Sequence, residues 1–369
     1  MTNRLVRIEI PEVVGVLSAS DVLASAGTIA AVQRPDGMIP WFDGGHCDPW
    51  NHVEAAMALS VCGLDAEADA AFDWLAERQL ADGSWFNYYL DQGIKDPRLD
   101  TNVCAYVATG VLHRFLVTGA VDHLSRHWSM VETAIDFVLR WQRPDGSVLW
   151  AVDPSGRCES YALLTGSSSI YHALRCAVAI AEALGKERPE WELAAGRLGH
   201  AVAHHAGSFA PKDEYAMDWY YPVLSGALPE AAAHHRIVSA WDRYVIKGRG
   251  VRCVSSQEWV TAAETAECVI ALDALGLDRA ARELFTSAQG LRLPDGSYWT
   301  GMVYPQDMTF PAAERTTYTA AAVILAADAL CGATPASGLF RGEGLPAPLD
   351  LPESSCTWDT DDCTARRRL

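Results

Sequence analysis

A short phrase recurs along the chain. It reads QRPDG from Gln33, QLADGSW from Gln79, QRPDGSVLW from Gln142 and QGLRLPDGSYW from Gln289. Asp-Gly is turn chemistry, because Asp bonds to its own loop and Gly supplies a positive φ. A Gln before the turn ends a helix, and the aromatic after it plugs the space between neighbouring units. The first three copies begin at residues 33, 79 and 142, and the fourth only at 289. A unit of about 50 residues follows, with two units lacking the phrase.

The segments between the phrases alternate in character. One set is amphipathic: Val131, Ile135, Val138 and Leu139 fall on one helical face, with Glu132, Asp136 and Arg140 opposite. The other set is apolar nearly all round, as in HVEAAMALSVCGL, NVCAYVATGVL and YTAAAVILAADALCG. Such helices must be buried on every side. Outer helices are expected near 21–33, 66–80, 122–142, 190–206, 229–245 and 278–289. Inner ones are expected near 49–63, 101–117, 168–184, 217–228, 260–275 and 316–331, the fourth interrupted by Pro222. Twelve alternating helices predict an all-α fold, an (α/α)6 toroid of six hairpins over residues 1–334. A Pro-, Gly- and acid-rich segment, 335–369, reads as a tail.

Composition narrows the partners. A net charge of −18 argues against nucleic acid, which needs clustered Lys and Arg. No stretch reads as a signal peptide or a membrane span, so the expected compartment is the cytoplasm. The ten cysteines form no CxxC pair and mostly lie in apolar runs, as buried thiols do. His46, Cys47 and His52 match no standard zinc spacing, and no metal or other cofactor is predicted.

Chemistry is expected where the inner helices begin, around one central cavity. Asp48 before Pro49 reads as an N-cap. Trp50, His52 and Glu54 follow it. Asp100 is both a cap for the second inner helix and a carboxylate at the mouth. Tyr171 and His172 are expected in the first turns of the third inner helix. Asp218, set among Trp219, Tyr220 and Tyr221, is the favoured acid, since burial there raises its pKa. Glu264 completes a Thr-x-x-Glu capping box from Thr261 and is a further carboxylate. Trp299 represents the loop aromatics. The catalytic candidates are thus Asp218, Asp100, Glu264 and His52. The substrate-binding candidates are Trp50, Glu54, Tyr171, His172, Trp219, Tyr220 and Trp299.

The QxxDGSW-type turns between paired helices resemble the repeat of protein prenyltransferases and squalene-oxidocyclases over residues 21–332. That resemblance implies acid–base chemistry on an isoprenoid substrate. Within it, Asp359-Thr360-Asp361-Asp362 is similar to the DxDD motif of class II terpenoid cyclases, so Asp361 would be the protonating acid if the tail docks in the cavity. Two other readings stay open. One is a six-hairpin carbohydrate enzyme working with paired carboxylates on a sugar. The other is a non-catalytic toroid that binds a small molecule or lipid.

Overall fold

The computed structural model describes residues 9–349. The chain forms α1 (Ala19–Ala30) and α2 (Pro49–Val61), then α3 (Asp65–Arg78) with α4 (Thr101–Ala105) and α5 (Val107–Thr118). Next come α6 (Val121–Leu139) and α7 (Leu164–Ala183), then α8 (Pro189–His204) and α9 (Ala216–Leu224). α10 (Glu230–Ser239) and the short α11 (Trp241–Tyr244) precede α12 (Ala262–Ala274), and α13 (Asp278–Ala288) precedes α14 (Thr317–Cys331). α2, the broken α4–α5, α7, α9, α12 and α14 make an inner ring. Each packs on the next, and α14 packs back on α2. The outer helices cover them, which is the (α/α)6 toroid. Inner-ring residues such as Val53, Ala108, Ala177, Val269 and Val323 are almost wholly buried.

The repeated phrase is the clasp between hairpins. Gln33 Nε2 donates to Gly37 O in its own turn and to Glu67 O on α3. Gln79 joins Gly83 O to Met130 O on α6, and Gln142 joins Gly146 O to Ala194 O on α8. The turn glycines press on the neighbouring outer helix. A Cβ on Gly83, at φ +95°, would lie 2.1 Å from Thr133 O. The fourth copy closes the ring: Gly296 abuts Ala24 and Ser25, and Ser25 Oγ donates to Gly296 O at 2.8 Å. The aromatic plugs also appear, with Trp85 and Tyr298 fully buried.

Three features depart from the periodicity. α9 is short, because Pro222 removes a backbone donor near its end. α7 begins at Leu164 and not near 168, so the Ser167–Ser169 run lies inside the helix and does not cap it. Short strands also appear. Val245–Ile246, Gly250–Arg252, Trp259–Thr261, Gly301–Val303 and Met308–Thr309 form a five-stranded antiparallel sheet beside hairpins five and six. Two- and three-residue strands leave no alternation long enough to read. At the opposite end of the ring, the segment expected to open the tail is packed: Ala336 and Leu339 are buried, and Arg341 pairs with Asp273.

Candidate active site

Asp48 caps α2 and accepts from Asn51 N at 3.0 Å. Its Oδ2 also takes Trp41 Nε1 at 2.6 Å and Asn51 Nδ2 at 2.7 Å. Asp100 is posed in parallel at the start of α4. Oδ1 accepts from Asn102 N and Val103 N, and Oδ2 from Trp150 Nε1 at 2.6 Å. Burial pushes both carboxyls up, Asp100 to about 6. Asp48 adds to the rise at Asp100, so the two acids sense one another. Burial also raises Tyr88 to about 12, with Asp48 and Asp100 contributing.

Across the ring, Glu264 stands half-buried in the first turn of α12. The Cys253 thiol lies within hydrogen-bonding reach of it and is pushed up by burial and by its charge. Tyr318, at the start of α14, is raised by burial and then by both Glu264 and Asp48. One tyrosine thus senses carboxylates from α2 and from α12. Its ring packs edge-on against Trp41, centroids 5.0 Å apart. Asp48, Asp100 and Glu264 thus all stand where inner helices begin, at one end of the ring, its mouth, where Trp41, His46, Tyr88, Trp150 and Tyr318 also lie.

Below the mouth lies a buried floor. Trp50 Nε1 donates to Glu54 Oε1 at 3.1 Å, as does Tyr106 OH at 3.3 Å. Tyr221 OH donates to Glu267 Oε1 at 3.1 Å, and Tyr220 OH donates to Oε2. Trp50 meets Tyr221 edge-on at 5.7 Å, bridging α2 and the opposed α9. Burial, then Glu267, holds the Glu54 carboxyl well above its ordinary value. Burial lifts Glu267 to about 8. No Arg or Lys among the described residues pairs with either glutamate, so the pair retains protons instead of carrying two charges. The floor thus contains Trp50, Glu54 and Tyr220.

Other expected residues go elsewhere. Asp218 is buried, but Thr165 N and Oγ1 donate to its Oδ1, and Arg236 grips its backbone carbonyl. It ties α9 to α7 and α10, and no described contact joins it to Asp100 or Glu264. Trp219 stacks on Tyr244 at 4.9 Å and donates to Arg236 O, packing the hairpin wall. His52 is held between Ile39 N and Ala71 O, with burial lowering its pKa to about 4; it is a neutral strut. Because α7 starts early, Tyr171 and His172 fall two turns in, away from the mouth. Tyr171 packs near Gly199, and His172 stacks on Phe340. Trp299 lies under Arg315 at a hairpin junction. Asp361 lies outside the described residues. Among the described residues no group of three or more His, Cys, Asp or Glu is placed to hold a metal.

Sequence reasoning treated Asp48 as a cap alone, left Glu267 in the background and missed the tryptophan braces. A signal for the braces existed. QRPDGMIPW and QRPDGSVLW put Trp41 and Trp150 at the same offset from Gln33 and Gln142.

Six hairpins close into one (α/α)6 toroid whose inner-helix starts carry acids and aromatic rings. No family model matches the chain. The chain belongs to the family of the MMP endo-(1,4)-3-O-methyl-alpha-D-mannosidase of Mycolicibacterium hassiacum, to which it is 51% identical over 341 residues, spanning 92% of this chain and 94% of that one. Solved structures of like fold include a glycosidase in complex with glucose (TM-score 0.68, 16% identity, 85% of this chain and 96% of that one). A D-mannose isomerase aligns at TM-score 0.65 and 10% identity, over 84% and 96%. At such identities these two show the fold alone.

The relative overturns the prenyltransferase and terpenoid-cyclase resemblance, and with it the isoprenoid chemistry. The turns that carried the resemblance are hairpin clasps. They report how a toroid closes and nothing about what reacts inside it. No helix among the described residues is long and apolar enough to cross a membrane.

Proposed function

We propose that this chain is an endo-acting glycoside hydrolase that cleaves α-(1→4)-linked chains of 3-O-methylated mannose. The observation that carries the reading is the 51% identity, over nearly the whole chain, to the mycobacterial endo-mannosidase. The mouth supplies suitable chemistry. Asp100 is the proposed general acid: burial pushes its carboxyl up to about 6, and Oδ2 takes a single donor, leaving room for a proton. It passes that proton to the glycosidic oxygen as the C–O bond breaks. Glu264 is the proposed base; it removes a proton from the water whose oxygen bonds to the anomeric carbon. The two stand on α4 and α12, opposed across the inner ring; with Glu264 acting as base, water enters the face opposite the departing chain and the anomeric configuration inverts. Asp48, whose Oδ2 is filled by two donors, grips sugar hydroxyls. The partly buried Trp50 gives the sugar ring a platform.

The test is digestion of a 3-O-methylmannose polysaccharide and of an unmethylated α-(1→4)-mannan, with products separated by size and the released anomer read by NMR. Internal cleavage of the methylated chain, with β-anomer released first, is expected. Release of monosaccharides from one end, or no cleavage, overturns the reading. A first-formed α-anomer overturns the assignment of Glu264 as base and makes it a nucleophile.

A further inference from the structure

An endo-acting enzyme must hold sugar on both sides of the broken bond, and the mouth is not the only concavity at this end of the ring. A cavity of about 610 Å³ lies where hairpin six meets hairpin one. That is within the ~300–1,000 Å³ range of clefts that take small molecules. Its wall includes Phe42, and Phe42 follows Trp41, the indole that braces Asp48. It also includes Thr316, the cap of α14, two residues before the Tyr318 that packs on Trp41. The groove is thus lined by the chain neighbours of Trp41 and Tyr318, the two rings that pack together at the mouth.

The lining is mixed. Val32, Phe42 and Ala312 are apolar, while Glu314, Arg315 and Thr316 can bond hydroxyls. Charge excludes an anionic occupant. Asp295 is paired with Arg315 at 3.1 Å, Asp43 shares Arg34 with Asp91, and Glu314 has no ion-pair partner among the described residues, so the lining carries a net negative charge. A neutral ligand with hydroxyls on some edges and methyl groups on others fits such walls. A partly methylated saccharide is that kind of ligand.

We propose that this groove is a distal subsite for the substrate chain, binding 3-O-methylated sugar units beyond the reacting one. The proposal rests on the mannosidase reading for the identity of the chain, and its geometry rests on the groove alone. Ala31, at the end of α1, and Ala312, on the loop before α14, both line it and both are exposed, so Ala31→Trp and Ala312→Trp fill it without disturbing the core. The experiment measures binding by calorimetry in a Glu264→Gln background, so that no hydrolysis is needed. The ligands are an α-(1→4)-linked 3-O-methylmannose octamer, the unmethylated octamer and the methylated disaccharide.

Each Trp is expected to weaken the methylated octamer about tenfold or more. It should change the disaccharide less than twofold and the unmethylated octamer less than the methylated one. Unchanged octamer binding in both variants overturns the subsite. Equal weakening of octamer and disaccharide does so too, since it reports a disturbed mouth. Equal weakening of both octamers overturns recognition of the methyl groups. Failure of the wild-type chain to cleave mannosides while these binding differences persist sinks the hydrolase reading and leaves the groove standing.

Discussion

Replacing Gly83 by Ala tests whether the recurrent turn is a clasp or a mere connection. Two costs arise. At φ +95° an L-residue is strained, by roughly 1–2 kcal/mol. The new Cβ would also lie 2.1 Å from Thr133 O, closer than any real contact, so hairpins two and three must part by about 1 Å. That parting stretches the 2.9 Å bond from Gln79 to Met130 O, worth about 1 kcal/mol, and thins the packing around it. With about 1–3 kcal/mol for the crowded contact itself, the sum is about 3–6 kcal/mol, a large share of the ~5–15 kcal/mol that holds a typical domain. Gly63 is the control. It has φ +70° with nothing within 4 Å of an added Cβ, so Gly63→Ala pays the strain alone, about 1–2 kcal/mol. Urea unfolding of both variants, followed by tryptophan fluorescence and by circular dichroism, gives the comparison. If G83A and G63A lose the same stability within 1 kcal/mol, the close approach does not fasten the hairpins and the clasp account is wrong.

Glu264→Gln should lower kcat on the methylated mannan by about 10²–10⁴-fold while the ligand still binds; a kcat within threefold of wild type removes Glu264 from the chemistry. Asp100 must be protonated to act as the acid, so activity should fall as pH rises through about 6, and Asp100→Asn should abolish that limb along with most of the rate. Should Asp48→Asn erase the limb while D100N keeps it, the two aspartates exchange roles. Trp150→Phe deletes a donor that favours the ionised form of Asp100, so the limb should move to higher pH; a downward move contradicts the brace. Glu267 titrates higher folded than unfolded, so its contribution to stability is full below about 4.5 and is lost as pH rises towards about 8. Thermal melts of Glu267→Gln should show a weaker loss over that interval, and an identical loss refutes the assignment.

The ring was legible because burial on all sides leaves a helix no polar face. HVEAAMALSVCGL and YTAAAVILAADALCG announce inner helices without any knowledge of their neighbours. The missing phrases after α8 and α10 were equally plain, and the sheet fills the second gap. The site was only half legible. Asp100 and Glu264 are legible as carboxylates because both stand where inner helices begin. Asp48 was set aside because a cap explains it, yet capping is what aims its carboxylate at the mouth. Asp218 misled because an acid among aromatics looks the same whether it faces a cavity or a neighbouring helix; Thr165, 53 residues earlier, decides which. Tyr171 and His172 were misplaced by the four residues between the expected and observed starts of α7, enough to carry them a full turn deeper.

Among the described residues no glutamine clasp joins hairpin five to either neighbour, and that hairpin carries Glu264. Its lacing to hairpin six is the ladder in which Trp259, Val260 and Thr261 face Val303, Met302 and Gly301, and α12 begins at the next residue. The ladder therefore works as a ruler. A slip of two residues keeps every side chain on its face but translates the helix start by about 7 Å. The reach of the carboxylate into the ring is written in three strand pairings rather than in the helix that bears it.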